Sequence, residues 1–304
     1  MEYSIRQVDY KNGCSDRIVL CLGFFDCVHR GHNSLIQRAK LFAKIDYAKS
    51  AVFTFCGNPF SGLGRGDKEI FTYEERTFRL WQLGVDIVVK AVPDEKFFST
   101  SPEGFLDGLF DKFNISAIIA GSDFTYGAGA QGNAETLKNY CKEHGADCYI
   151  VDMVEYAEGK KIASREIREM VKKGDIVRIN ELLPLPYIVA GRVVKGRHDG
   201  ATIGTPTANV NIPEEKLPVA SGVYDTNVLV DGVRLRAVTS VGEHPTFGDN
   251  HYNVESYILH WNSNIYGKFI VVEFLKKLRD IKKFDTKEDL AAQIAIDAAR
   301  VLGR

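Results

Sequence analysis

The chain lacks any run of apolar residues near the roughly 18 that a membrane-spanning helix needs. Its first residues are polar and of mixed charge, without the apolar centre of a secretion signal. A basic excess is also lacking, since 39 lysines and arginines stand against 40 aspartates and glutamates. These absences argue against a membrane partner and against a nucleic acid bound through its phosphates, and they favour a cytoplasmic protein.

Cysteine motifs are lacking as well. The six cysteines include no Cys-x-x-Cys pair, and no Cys and His residues have the spacing of zinc ligands. Reduced thiols are therefore the favoured interpretation. Apolar residues make up 45% and charged residues 26% of the 304 residues, as in an ordinary globular protein of one large or two smaller domains.

The first half of the chain alternates between short apolar runs and segments of helical spacing. The predicted helices cover residues 31–44 and 72–83, and the predicted strands cover residues 18–23, 50–55, 85–92, 116–120 and 148–154. This alternation predicts an α/β fold with a parallel sheet, whose ligands bind at the carboxyl ends of the strands. Gly23 and Gly121 each follow an apolar run directly, so both mark that edge.

The pattern changes after a short predicted helix over residues 162–173 and a proline-containing linker region at 182–187. Short β-type runs separated by glycine, proline and asparagine predict an antiparallel barrel or sandwich. A final helix follows, with Thr286 as its cap and Asp289 three residues later. We therefore expect a first domain over residues 1–184 and a second over 185–304.

The segment Gly23–His32, with the sequence GFFDCVHRGH, joins the first predicted strand to the first predicted helix. A helix N-terminus offers free N–H groups and a positive dipole end to phosphate. His29 and His32 could donate hydrogen bonds there and stabilise charge that develops at a phosphorus atom, while Gly31 allows close approach of the backbone. A lone His-x-x-His is common by chance and usually structural, but its place between strand and helix favours a functional site.

This segment resembles the signature of the prokaryotic bifunctional riboflavin kinase/FMN adenylyltransferases, the FAD synthetases. Further similar segments are Thr54–Pro59, Gly121–Gly127 followed by Gly132 and Asn133, and Ile162–Arg168. The resemblance implies that the first domain transfers AMP from the substrate ATP to the substrate FMN, giving the product FAD.

The resemblance also implies roles for single residues. His29 and His32 would bind ATP phosphates, and Ser164 and Arg168 would hold phosphate over the reaction centre. Residues of the nucleotide and flavin pocket would be Gly23, Phe24, Asp26, Gly31, Asn58, Gly121, Asp123, Phe124 and Asn133. Taken alone, Arg168 would be a solvated helix arginine and Asp123 a turn cap. The sequence departs from the family pattern at Cys27, Asn58, Ala130, Ala163 and Arg165.

The segment Gly200–Asn209 resembles the riboflavin kinase signature, whose core is P-T-A-N, and implies a C-terminal β-barrel domain of that kind. Thr207 and Asn209 would then be Mg²⁺ ligands, and Glu255 would take a proton from the riboflavin hydroxyl. Taken alone, P-T-A-N predicts a turn and Glu255 an exposed strand carboxylate. Departures from the family pattern stand at the linker residues Pro184 and Leu185 and at Ala201, Thr205, Ser240, His244 and Ile281.

Because several of these departures remove charged or hydrogen-bonding groups, we expect the kinase activity on riboflavin to be weak or lost. A fully bifunctional enzyme is the alternative. A nucleotidyltransferase with another phosphate acceptor fits less well, since the kinase-like half would have no place in it. A non-enzymatic flavin-binding protein would be expected to have lost His29, His32 or Ser164, and all three are present.

Overall fold

The computed structural model describes residues 3–59, 68–152, 154–157, 160–195, 207–244, 251–261 and 263–303. Ala201 and Thr205 lie outside the described residues, as does the side chain of His244. The chain forms two compact units, Tyr3–Ser164 and Arg165–Arg304. The functional division at residue 184 stays a prediction.

The first unit is built on one parallel sheet. Its strands are β1 (Arg6–Asp9), β2 (Cys14–Leu22), β3 (Lys49–Phe55), β4 (Ile87–Ala91), β5 (Phe113–Gly121) and β6 (Asp147–Val151). They lie in the order β1-β4-β3-β2-β5-β6, and each neighbouring pair is parallel. The predicted parallel sheet is thereby confirmed. A small antiparallel pair, β7 (Glu155–Ala157) and β8 (Lys160–Lys161), follows it.

Helices flank this sheet. They are α1 (Arg30–Ile45), α2 (Tyr73–Gln82), α3 (Glu95–Phe98), α4 (Pro102–Phe110) and α5 (Ala134–Glu143). Strand β2 is central, and its residues Ile18–Leu22 are buried on both faces, as a covered parallel strand requires. Helix α1 buries one apolar stripe, which includes Leu35, Ile36 and Ala39.

Some boundaries differ from the sequence prediction. The predicted strand over 148–154 ends at Val151, because its pairing partner β5 ends at Gly121, the residue opposite Val151. Helices α4 and α5 were not predicted. In α4, Gly104 and Gly108 interrupt the apolar pattern, although Ser101 caps the helix N-terminus and a proline follows it.

The second unit contains an antiparallel sheet. Its strands are β9 (Ile188–Arg192), β10 (Thr207–Asn211), β11 (Gly222–Val230), β12 (Val233–His244), β13 (His251–Ile258) and β14 (Phe269–Arg279). They lie in the order β10-β13-β12-β11-β14-β9. The backbone N–H of Val194, just after β9, donates to the carbonyl of Asn209 in β10 at 2.9 Å. This contact brings the two edges together, and of the two predicted architectures the barrel is the one confirmed.

Among the described residues, the helices of this part of the chain are α6 (Ser164–Lys173), α7 (Ile176–Leu182) and α8 (Lys287–Val301). Helix α7 was not predicted, whereas α8 begins as predicted, with Thr286 Oγ1 accepting from the Asp289 N–H at 3.1 Å. Arg279 and the buried Asp297 form an ion pair at 2.8 Å that fixes α8 to β14. None of the described helices combines the length and the apolar character that crossing a membrane requires.

Candidate functional site

The turn between β2 and α1 is held in an unusual backbone conformation. Phe25 and Val28 have φ angles of 57° and 47°, a region that side chains rarely adopt and that is most costly for a β-branched residue. Both side chains are buried, as are those of Asp26 and Cys27. Strain of this kind persists where the surroundings enforce it, which is common at functional sites.

His29 and His32 lie at the N-terminus of α1 with their rings stacked. The ring centroids are 3.7 Å apart, and the planes differ by 13°. His29 is the cap residue, and its Nδ1 accepts from the His32 backbone N–H at 3.2 Å. The accepting Nδ1 leaves the proton on Nε2, so that the neutral ring still has a donor for a ligand.

Both imidazoles are neutral in this environment. Burial lowers the pKa of His29 to about 4. It also lowers the pKa of His32 well below its ordinary value, and the neighbouring His29 adds to this effect. Within the described part of the chain, the buried His32 Nδ1 has no hydrogen-bond partner. Since buried polar atoms are rarely unpaired, this atom points to a ligand that supplies the missing contact.

Predicted pocket residues lie at the carboxyl ends of neighbouring strands. Gly23 and Phe24 follow β2, Asn58 follows β3, and Gly121 is the last residue of β5. The Thr54 hydroxyl donates to the Phe24 carbonyl at 2.6 Å and so joins the ends of β2 and β3. This is the edge at which parallel sheets bind ligands.

The segment after β5 folds into a compact loop. A Cβ atom at Gly121 would lie 2.7 Å from Asp123 Oδ1, so glycine is needed there for the carboxylate to stay in place. Phe124 and Tyr126 stack with centroids 5.8 Å apart. Asn133 caps α5, and its Oδ1 accepts from two backbone N–H groups. Its side-chain oxygen thus has a structural role, whereas its predicted contact with a ligand stays a prediction.

Ser164 is linked to the turn that carries the histidines. Its Oγ lies 3.7 Å from Cys27 Sγ, and Cys27 is buried. Arg168 lies four residues later in α6 and therefore on the same face of that helix. The predicted role of Arg168 at the reaction centre stays a prediction.

A second cluster lies on the barrel, where β10 pairs with β13. P-T-A-N, taken alone, predicts a turn, but Thr207 and Asn209 are in strand β10. Asn209 stands directly opposite Glu255, so both side chains are on one face of the sheet. The Asn209 amide donates to Thr207 Oγ1 at 3.3 Å. The structure thus brings together all three residues that the sequence assigns to the kinase centre.

These groups present amide, hydroxyl and carboxylate oxygens, the donors that Mg²⁺ prefers. Within the described ranges, no group of three or more His, Cys, Asp or Glu residues is arranged to hold a metal ion. The donor chemistry of Thr207, Asn209 and Glu255 is compatible with Mg²⁺, and their role as its ligands stays a prediction.

Two family profiles match this chain: FAD synthetase over residues 11–166 and riboflavin kinase over residues 183–302. The chain is 34% identical to the bifunctional riboflavin kinase/FMN adenylyltransferase of Bacillus subtilis, over 92% of this chain and 90% of that protein. The Escherichia coli protein of the same name is 31% identical, over 94% and 91%.

The chain belongs to the bifunctional riboflavin kinase/FMN adenylyltransferase family. A crystal structure from Streptococcus pneumoniae, described as a macrolide-efflux protein, superposes with a TM-score of 0.84 at 30% identity, covering 99% of this chain and 100% of that one. The family consists of transferases whose substrates and products are ATP, riboflavin, FMN and FAD.

In this family member, the structure adds a residue that the sequence did not reveal. Arg76 in α2 is fully buried, and its guanidinium donates to the carbonyls of Phe71 at 3.0 Å and Phe55 at 2.6 Å. It pairs with the buried Glu69 at 3.3 Å and lies 4.7 Å from the centre of the Phe24 ring. Arg76 thereby ties the end of β3 to the turn after β2.

Asp26, in the turn after β2, is hydrogen-bonded to the segment just before α2. Its Oδ1 accepts from the Ile70 N–H at 2.9 Å, and its carbonyl accepts from the Phe71 N–H at 3.2 Å. The predicted pocket residue Asp26 is itself buried, so its contacts with the protein fix the turn. No signal in the sequence indicated that Arg76 is buried, because its partners Phe24, Phe55 and the Glu69–Phe71 segment come together only in the folded chain.

Proposed function

We propose that the first unit transfers AMP from ATP to FMN and releases pyrophosphate. A phosphate oxygen of FMN attacks the α-phosphorus of ATP, and the bond from that phosphorus to the pyrophosphate oxygen breaks. The observation that carries this proposal is the histidine pair at the N-terminus of α1, in which the buried His32 Nδ1 has no partner among the residues that the structure describes.

The residues of the turn would act by positioning and by stabilising charge. An FMN phosphate oxygen is already a nucleophile, so no base is needed, and positioning contributes most of the rate. Nε2–H of His29 would donate to phosphate oxygens, alongside the free N–H groups of α1. Ser164 and Arg168 would hold the phosphates, and Gly121, Asp123 and Phe124 would line the pocket for the adenine and flavin parts of the substrates.

We propose that the second unit phosphorylates riboflavin at the Thr207, Asn209 and Glu255 cluster. Thr207 and Asn209 would hold Mg²⁺, which when bound neutralises charge on the ATP phosphates. Glu255 would accept the proton of the attacking hydroxyl. The substrates are small molecules, so the proposal needs neither a nucleic acid nor a membrane. We propose that both reactions take place in the cytoplasm.

One assay tests both reactions. The purified protein is incubated with Mg·ATP and either FMN or riboflavin, and the flavins are separated by chromatography. We expect FAD from FMN. Absence of FAD under conditions where FMN binds would refute the first proposal, and formation of another adenylylated product from a different phosphate acceptor would favour the alternative nucleotidyltransferase.

We expect riboflavin phosphorylation to be slower than adenylylation of FMN by about tenfold or more, because each lost charged hydrogen bond is worth ~1.5–3 kcal/mol. In the described part of the barrel, Ser240 stands directly opposite Glu255, where the family pattern has an asparagine, and Ile281 is exposed. Single-turnover rates with excess enzyme measure the ratio, and the adenylyl transfer of the same chain is the internal control.

The reverse substitutions sharpen this test. Ala201→Arg combined with Ile281→Glu should raise the rate of riboflavin phosphorylation and leave adenylyl transfer unchanged. Equal rates for the two reactions in the unmodified protein would contradict the expectation and identify a fully bifunctional enzyme.

A further inference from the structure

One side-chain amide contacts two of the residues assigned to the kinase cluster. The Asn253 Nδ2 donates to Asn209 Oδ1 at 2.8 Å and to Glu255 Oε1 at 3.1 Å. An amide nitrogen has two hydrogens, so each acceptor can take one of them. The proposed metal ligand and the proposed base are therefore held by the same group.

The strand register explains this arrangement. Asn253 lies two residues before Glu255 in β13, and thus on the same face of the barrel wall. Its direct neighbour across the strands is Asn211, while Asn209 is the neighbour of Glu255. The amide thus reaches diagonally to Asn209 and along its own strand to Glu255.

The orientation of the Asn253 amide is set by its neighbours. In the opposite orientation, Oδ1 would face two acceptor oxygens and no donor, which is unfavourable. In the observed orientation, Asn253 Oδ1 is buried and has no hydrogen-bond partner among the residues that the structure describes. A donor that arrives with the substrates, either a hydroxyl group or a metal-bound water, would satisfy this oxygen.

We infer that Asn253 is a positioning residue of the phosphoryl-transfer site, and this inference rests on the proposed riboflavin phosphorylation. Its N–H occupies one lone pair of Asn209 Oδ1 and leaves the other available to the Mg²⁺ ion that Asn209 would hold. Its second N–H orients the Glu255 carboxylate toward the acceptor hydroxyl. Partners that orient a metal ligand through its second lone pair strongly influence metal affinity.

Binding of Mn²⁺ with ADP tests the inference without relying on turnover. Mn²⁺ accepts the same oxygen ligands as Mg²⁺, and its free concentration is measured by electron paramagnetic resonance. The full chain is titrated as wild type and as Asn209→Ala, and the difference between the two isotherms gives the site in the second unit. Asn253→Ala, Asn253→Leu and the control Asn211→Ala are then titrated in the same way.

We expect Asn253→Ala and Asn253→Leu to weaken Mn²⁺ binding at this site by about 10- to 100-fold. Leucine fills nearly the volume of asparagine but donates no hydrogen bond, so a residue that only packs would tolerate it. Asn211→Ala should bind Mn²⁺ like the wild type, because Asn211 is exposed and outside the cluster. Adenylyl transfer should be unchanged within about twofold in all variants, since independent sites do not couple.

Two results would overturn the inference, and they can be told apart by whether the metal site itself is also refuted. If wild type and Asn209→Ala bind Mn²⁺ identically, the proposed metal site is wrong and the inference fails with it. If Asn209→Ala binds Mn²⁺ more weakly than the wild type but Asn253→Leu binds like the wild type, the metal site stands and the role of Asn253 is refuted. Cooperative thermal unfolding of each variant shows that a loss of binding is not a loss of fold.

Discussion

Replacing His32 by alanine should lower the rate of FAD formation by about 10²-fold or more, because removal of one preorganised donor to developing charge has that cost. His32 stacks on His29 at the N-terminus of α1, and its buried Nδ1 has no partner among the described residues. His29→Ala should have a similar effect, since it removes both a donor and the cap of the helix.

The two histidines should act as one unit. Residues of this kind show non-additive effects, so the double variant should be little slower than the worse single variant. His144→Ala is the matched control: that histidine is in the same unit but stacks on Tyr140 at the end of α5. The rate is measured with saturating FMN and ATP. FAD synthesis in the double variant at the wild-type rate would refute the proposed site.

Replacing Arg76 by methionine should reduce the free energy of unfolding by about 3–5 kcal/mol, because it breaks the buried ion pair between Arg76 and Glu69. Neither side chain is accessible to water, with exposures of 0% and 2%. The loss includes the hydrogen bonds from Arg76 to the carbonyls of Phe55 and Phe71. Urea denaturation measures the change.

A second substitution separates the charge from the contacts. Arg76→Met with Glu69→Gln removes both charges, so its unfolding free energy should lie above that of Arg76→Met alone. The exposed pair of Arg6 and Asp16 is the control, and Arg6→Met should cost less than about 1 kcal/mol. If Arg76→Met unfolds at the same urea concentration as the wild type, Arg76 does not organise this region.

The parts of the fold that the sequence predicted are those with a strong local pattern. The apolar run Ile18–Leu22 forms the buried part of β2, and helix α1 has an apolar stripe, so both elements were predicted. Strand β2 nevertheless begins four residues before the predicted strand, because the polar residues after Cys14 carry no apolar signal. Thr72 and Glu75 form the capping box that starts α2. The short strand β10 could not be predicted in the same way, since its polar residues form a strand only through pairing with β13.

The same distinction between local and tertiary signals separates the residues of the candidate sites that the sequence predicted from those that it did not. The functional role of the histidine pair was predictable, because it depends on the position of the pair between a strand and the helix that follows it in the sequence. The contacts of Arg76 and Asn253 were not, because each depends on partners from separate segments. A charged or amide side chain shows its role only when tertiary packing removes water from it and limits its partners.

The stacked, neutral histidines also link nucleotide binding to protons. The pKa of His29 is about 4 in the folded chain, so the ring is uncharged at neutral pH. A triphosphate placed against it would stabilise the charged ring and raise that pKa. Binding would then take up protons from the buffer, and the affinity would increase as the pH falls toward the pKa of the free form. The calorimetric heat of ATP binding should accordingly change with the ionisation enthalpy of the buffer, and the slope of that dependence counts the protons taken up.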